Sequence, residues 1–156
     1  MEKHVKDSMT EQSRIVRPSH LNGAGRLFGG QLALWIDEVA GIAAIRHCQR
    51  PIVTAAIDNL RFREAVLQNQ LVVLIAKVTY VGSTSMEVRV DSYVEDLSGA
   101  RKLINTAFLT QVALDDAGKP TKVPQLICES AQETAEFEAG RRRREMRLQM
   151  KADLYG

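Results

Sequence analysis

Residues 29–45 run Gly29-Gly30-Gln31-Leu32-Ala33-Leu34-Trp35-Ile36-Asp37-Glu38-Val39-Ala40-Gly41-Ile42-Ala43-Ala44-Ile45, a helical stretch that is apolar nearly all the way round. A helix of this kind must be covered on every side. One sheet wraps only part of it, so the segment implies a partner chain, and an obligate dimer at least is expected. Asp37 and Glu38 sit in the middle of this stretch. An ionised carboxylate withdrawn from water is costly unless something pairs with it. Successive helix positions lie about 100° apart, so the two cannot both escape the apolar surroundings. Either Glu38 reaches solvent while Asp37 takes a structural hydrogen bond, or one of the two is a catalytic carboxylate held in a dry site.

Gly29-Gly30 at the start of the helix favours the second reading. A helix N-terminus presents unpaired N–H groups and a partial positive charge. Glycine there lets a substrate carbonyl come close to the backbone, and the free N–H groups can hold the oxyanion of a tetrahedral intermediate. Asn22, just upstream, offers a neutral amide able to bind a carbonyl or orient water. Asp37 can attack directly or act as general base on water. Gly29 and Asp37 stand about 12 Å apart along a helix at ~1.5 Å per residue. A reacting carbon must lie about 3 Å from both the nucleophile and the oxyanion donors. If both groups act, Asp37 of one protomer therefore serves the helix N-terminus of the other.

The rest of the chain frames this segment. With 156 residues, 45% hydrophobic and 26% charged, it reads as one globular domain that needs neither disulfides nor metals to fold. A net charge of +2 is too small to argue for nucleic acid or an anionic membrane. Cys48 and Cys128 match no metal or redox spacing and read as apolar fillers, so neither metal nor cofactor is expected. The N-terminus carries no secretory pattern and no run is long enough to span a membrane, which makes a cytoplasmic setting the expectation.

Residues 1–12 read as a loose segment, 13–128 as the main domain and 129–156 as a basic C-terminal helix. A short strand over 13–17 stops at Pro18, and the helix over 29–48 ends before Arg50-Pro51. Arg46 and His47 fall in its last turn, where positive charge suits the helix dipole. Extended patterns follow at 52–63, 71–81, 86–94 and 102–114, the first with Val53, Ala55 and Ile57 on one face. Met86, Val88, Val90, Ser92 and Val94 alternate with Glu87, Arg89, Asp91 and Tyr93, as in a half-buried antiparallel strand. One buried helix followed by four such strands gives an α+β domain, a curved antiparallel sheet wrapped round a helix.

Arg17-Pro18, His20-Leu21-Asn22, Gly25-Arg26-Leu27-Phe28-Gly29-Gly30-Gln31-Leu32, Trp35-Ile36-Asp37-Glu38-Val39-Ala40, Arg46-His47, Val53-Thr54-Ala55 and Gly82-Ser83-Thr84-Ser85-Met86-Glu87-Val88 together resemble the hotdog-fold acyl-CoA thioester hydrolases. Among these the chain looks like bacterial single-hotdog enzymes related to the tandem-domain cytosolic hydrolases of animals. The resemblance implies the hotdog fold, dimers that assemble into trimers of dimers, and hydrolysis of acyl-CoA to free CoA and a carboxylate. It implies catalysis by Asp37 and Asn22 from different hotdog units, with Gly29 and Gly30 as oxyanion donors. The turn Gly82, Ser83, Thr84 and Ser85 maps onto a segment beside the pantetheine or phosphates of CoA. Arg63-Glu64-Ala65 and Gln68-Asn69-Gln70 depart from the pattern, which bears on acyl-chain selectivity rather than chemistry.

Arg141 to Arg144 read as a solvated basic face or as a phosphate clamp for CoA, with Arg141 and Arg142 the candidates, since guanidinium suits phosphate. Nucleic acid is disfavoured because no aromatic platform accompanies the cluster. His20 is expected to make a local loop hydrogen bond, Trp35 to belong to the core or acyl pocket, and Asp58 to make a structural bond beside the helix. Two other functions fit parts of the pattern. A hydroxyacyl-thioester dehydratase would use His20 with Asp37, and a non-catalytic acyl-CoA sensor would keep the pocket alone.

Overall fold

β-branched residues crowd Leu71–Val81, and polar and apolar residues alternate over Ser85–Glu95, so these two segments pair as the centre of a sheet. The structure, a computed structural model, describes residues 1–156. In chain order it contains β1 (Glu2–His4), α1 (Val5–Ser8), β2 (Thr10–Ile15), a 3-10 turn (Pro18–His20), α2 (Gly29–Cys48), β3 (Ile52–Asp58), β4 (Leu71–Val81), β5 (Ser85–Glu95), β6 (Arg101–Ala113), β7 (Gln125–Ile127) and α3 (Ala131–Tyr155). Five strands form one antiparallel sheet in the order β2-β4-β5-β6-β3, and β1 pairs in parallel with β7 beside it. This is the α+β architecture expected from the sequence.

The inner face of the sheet wraps α2. Val72, Leu74, Ala76 and Val78 of β4, Val88 and Val90 of β5 and Leu109 of β6 are buried in one cluster with Ile36, Val39, Ala40, Ala43 and Ala44. Each large aliphatic side chain so buried contributes about 1.5–3 kcal/mol. The covering is incomplete, as the sequence predicts. Leu34 and Ile45 of α2 remain 52% and 47% exposed, and Val53 on the edge strand β3 is 47% exposed. An apolar helix flank beside an open strand edge is the kind of surface that a second chain covers.

Four expectations need correcting. Residues 1–12 are ordered, forming β1, α1 and the start of β2, with Val5, Ser8 and Thr10 buried. Lys3 Nζ donates to the Arg46 carbonyl over 2.6 Å and Arg46 Nη1 to Thr10 Oγ1 over 2.9 Å, which ties this segment to the end of α2. The strand expected over 52–63 stops at Asp58, because Asn59 turns the chain with φ 65° and Asn105 Nδ2 captures the carbonyls of Asn59 and Arg61. His47 is not a cation at the helix end. It is fully buried with Nε2 on the Pro124 carbonyl at 2.8 Å, and burial pushes its pKa below the usual 6.5. Burial likewise raises the Cys48 thiol, which fits an inert filler.

The fourth correction concerns the outer face of β5, which alternation alone would give to water. α3 lies across it. Glu87 is 1% exposed and accepts from Thr79 Oγ1 at 2.6 Å and from Arg143 Nε and Nη2 at 2.8 Å each, while Arg143 also stacks 3.8 Å from the Phe108 ring centroid. Lys77 pairs with Glu136 at 2.9 Å and Tyr80 packs on Phe137. The helix comes this close because Gly140 has no side chain. A Cβ there would stand 2.6 Å from Tyr80 Cβ and 2.8 Å from Glu87 Oε1.

Candidate active site

The loop before α2 folds around Asn22. Its backbone N–H donates to the Arg26 carbonyl, and its Oδ1 accepts from the N–H groups of Ala24 at 2.9 Å and Arg26 at 3.2 Å. Gly25, at φ 74°, supplies the left-handed step that closes this turn. With Oδ1 occupied in the loop, the exposed Asn22 amide presents its Nδ2 donors outward.

α2 begins at Gly29 with no side-chain cap from Phe28. The N–H groups of Gly29 and Gly30 donate to no acceptor within the chain, so two free donors point from the positive end of a 20-residue helix. The rings of Phe28 and Phe62 fill the space where side chains at Gly30 and Gly29 would stand. A Cβ at Gly30 would meet Phe28 Cε2 at 2.5 Å, and one at Gly29 would meet Phe62 Cζ at 3.1 Å. Leu27, Leu32, Phe62, Val66 and Ile104 line a small apolar cleft alongside.

Asp37 points from the middle of α2 to β3 and is half-buried. Thr54 Oγ1 donates to Asp37 Oδ1 over 2.7 Å and lies 3.0 Å from Oε1 of Gln111 on β6, its cross-strand partner. Asp37 Oδ2 takes no bond within the chain, so one oxygen is anchored and the other is free to act. Thr54 and Gln111 carry no role in the sequence reading. The alternation that sets Val53, Ala55 and Ile57 on one face sets Thr54 on the opposite one, and that was the available signal. Gln111 becomes visible only through strand pairing.

Other candidates fall into place around this site. Glu38 reaches solvent and pairs with Arg14 at 3.4 Å. His20 Nδ1 accepts from the Arg17 N–H at 2.9 Å and its ring meets buried Trp35 edge-on, so it is a loop fastener as expected. Asp58 pairs with Arg147 of α3 at 3.4 Å rather than with α2. The turn 82–85 connects β4 to β5, and Arg144 rests on it, with Nε 3.6 Å from where a Gly82 Cβ would stand. Arg141 is held by Glu138 and Glu145, and Arg142 is exposed. A surface cavity of about 580 Å³ opens elsewhere, between residues 48–50, 122–125 and the N-terminus, and contains none of these groups. No cluster of side chains could hold a metal ion, and no helix is long and apolar enough to cross a membrane.

A helix wrapped by a five-stranded antiparallel sheet, with free N–H donors at its start and an anchored carboxylate at its middle, has the architecture of a hotdog domain. Residues 24–99 match the Thioesterase superfamily. The chain is 43% identical to an uncharacterized acyl-CoA thioester hydrolase of Bacillus subtilis (strain 168), over 82% of this chain and 75% of that protein. It is 37% identical to the cytosolic acyl coenzyme A thioester hydrolase of Rattus norvegicus over 97% of this chain, spanning only 40% of that protein's length. An acyl-CoA hydrolase from Staphylococcus aureus, solved with butyryl coenzyme A, coenzyme A and coenzyme A disulfide, superposes with a TM-score of 0.92 at 32% identity, covering 98% of this chain and 94% of that one. Solved alanine mutants of that enzyme change an asparagine, an aspartate and a threonine spaced along its chain as Asn22, Asp37 and Thr54 are spaced here. An apo-hexameric acyl-CoA thioesterase superposes with a TM-score of 0.89 at 35% identity, covering 97% of each chain. The present chain belongs to the hotdog-fold Thioesterase superfamily.

Proposed function

We propose that this protein hydrolyses acyl-CoA to free CoA and a carboxylic acid. The observation that carries the reading is the half-buried Asp37, with Oδ1 fixed by Thr54 and Oδ2 free, on the same helix whose N-terminus offers two unpaired glycine N–H groups. The thioester carbonyl oxygen docks on the N–H of Gly29 or Gly30, where developing negative charge is stabilised. Asn22 Nδ2 donates to the same carbonyl or to the attacking water. Asp37 acts as general base or as nucleophile. As base, it takes a proton from water as the water oxygen bonds to the carbonyl carbon. The tetrahedral intermediate collapses with cleavage of the C–S bond, and the CoA sulfur leaves with the proton returned by Asp37. As nucleophile, its oxygen bonds to the carbonyl carbon, the C–S bond breaks with CoA leaving as the thiolate, and water then cleaves the resulting anhydride to the acid and free Asp37.

The ~12 Å of helix between Gly29 and Asp37 supports a site shared by two protomers, and the exposed flank of Leu34, Ile45 and Val53 supports their association. Assembly as a trimer of dimers is the further expectation, in line with the hexameric relative, and a cytoplasmic setting accords with the relative named cytosolic. CoA runs along the turn Gly82, Ser83, Thr84 and Ser85, with arginines of α3 facing its phosphates. Arg142 is the freer of the two expected residues, because Arg141 already holds two carboxylates. A dehydratase would require His20 as a base, and its Nδ1 is already committed to the loop.

Thiol release measured with DTNB over acyl-CoAs from acetyl to palmitoyl, for wild type and Asp37→Asn, tests the reading. Wild-type turnover is expected, with a loss of about 10²–10⁴-fold in the variant if Asp37 is the general base. Wild-type rates in the variant would remove Asp37 from catalysis, and saturable binding without any turnover would make the protein a sensor. Mixed dimers of Asp37→Ala and Asn22→Ala chains are expected to regain activity at one site, which a site confined to a single protomer would not allow.

A further inference from the structure

We propose that Gln111 is a positioning residue: its side-chain N–H directs the single proton of Thr54 at Asp37. The inference rests on reading Asp37 as the catalytic group. Gln111 stands in the inner row of β6 with Ala107, Leu109 and Ala113, and all four are fully buried. A polar amide in such a row is a costly choice unless its hydrogen bonds are used. Thr54 Oγ1 has Asp37 Oδ1 at 2.7 Å and Gln111 Oε1 at 3.0 Å.

The proton count fixes the direction of these bonds. Ionised Asp37 only accepts, and a threonine hydroxyl has one proton to donate. If that proton goes to Asp37, the amide must donate to Thr54, and therefore turns its nitrogen rather than its oxygen towards the hydroxyl. The oxygen and nitrogen of an amide are assigned from such a network. As the amide is placed, with Oε1 towards Thr54, Nε2 is a buried donor with no partner and Thr54 faces two acceptors. Turning the amide gives a directed chain, Gln111 Nε2–H to Thr54 Oγ1–H to Asp37 Oδ1, whose members polarise one another. The chain leaves a buried carbonyl oxygen unpartnered, which is better tolerated than a buried N–H. Oδ2 then stays oriented towards the reacting groups while Oδ1 is held.

Gln111→Met keeps the volume and removes the donor. It is expected to lower kcat about tenfold with KM within about twofold of wild type, the size of one lost hydrogen bond to a charged network. Thr54→Val is expected to lower kcat by more. In that background Gln111→Met should add less than about twofold, because the bond through which it acts is gone. A Gln111→Met enzyme with wild-type kcat, or a full tenfold loss added on top of Thr54→Val, would overturn the proposal. A purely structural amide would instead shift Tm and leave kcat in place. Asp37→Asn in the same assay keeps the two readings apart, since unchanged turnover there defeats the assignment of Asp37 and not the hydroxyl's direction. Neutron diffraction reads that direction without any activity. A deuteron on Thr54 lying towards Asp37, with the ND2 group of Gln111 facing Thr54, upholds the proposal, and a deuteron lying towards Gln111 refutes it.

Discussion

Replacing Arg143 with methionine should damage this protein more than replacing both Arg143 and the carboxylate it serves. Glu87 is 1% exposed, and Arg143, 28% exposed on its side chain, supplies two of its hydrogen bonds at 2.8 Å. Bonds to a charged group are worth about 1.5–3 kcal/mol each, and breaking a buried pair from one side costs about 3–5 kcal/mol. Thr79 stays bonded to Glu87 and Arg147 waits at 3.8 Å, which places the expected loss at the lower end, near 3 kcal/mol. For a domain of this size that corresponds to a fall in Tm of roughly 6–12 °C. In Arg143→Met with Glu87→Met no buried charge is left unpaired and α3 packs on an apolar floor, so stability should return to within about 1 kcal/mol of wild type. Glu87→Met alone should fall between the two, because the partly exposed guanidinium can turn to water. Urea unfolding at one fixed protein concentration measures all four proteins, since an oligomer's stability depends on concentration. A double variant as unstable as the two single losses combined would refute the reasoning.

Two further outcomes follow from the fold. Gly140→Ala, by forcing a Cβ to within 2.6 Å of Tyr80 Cβ, should lift α3 from the sheet and cost about 1–3 kcal/mol in urea unfolding, although alanine is the better helix former. His47 has a pKa lowered mainly by burial, against the smaller opposing effect of its Pro124 hydrogen bond. The unfolded chain therefore binds the proton first, so this residue's contribution is present above pH 6.5 and is lost as pH falls below it. In His47→Gln the slope of stability with pH below 6.5 should flatten, which urea midpoints on either side of that pH would reveal.

Much of this protein is written in local pattern. The all-round apolar stretch at 29–45 specified a central helix, the two-residue alternation after it specified the strands, and both follow from side-chain geometry that needs no knowledge of the fold. The same stretch made Asp37 conspicuous, because a carboxylate among apolar residues demands an explanation, and Gly29-Gly30 supplied one. Asn22 was legible for its amide and its motif, but the commitment of its oxygen to the loop was not. Tertiary structure decided the rest. Thr54 and Gln111 lie far apart in sequence and meet beside Asp37 only because β3 pairs with β6 beneath α2. Glu87 alternates like a solvent residue and is buried because α3 arrives from the other end of the chain with Arg143. His47 carries no dipole charge because Pro124 and the ordered N-terminal segment enclose it. Periodicity tells which face a side chain takes, while what lies against that face depends on long-range pairing, and that is where burial, protonation and the direction of each hydrogen bond are set.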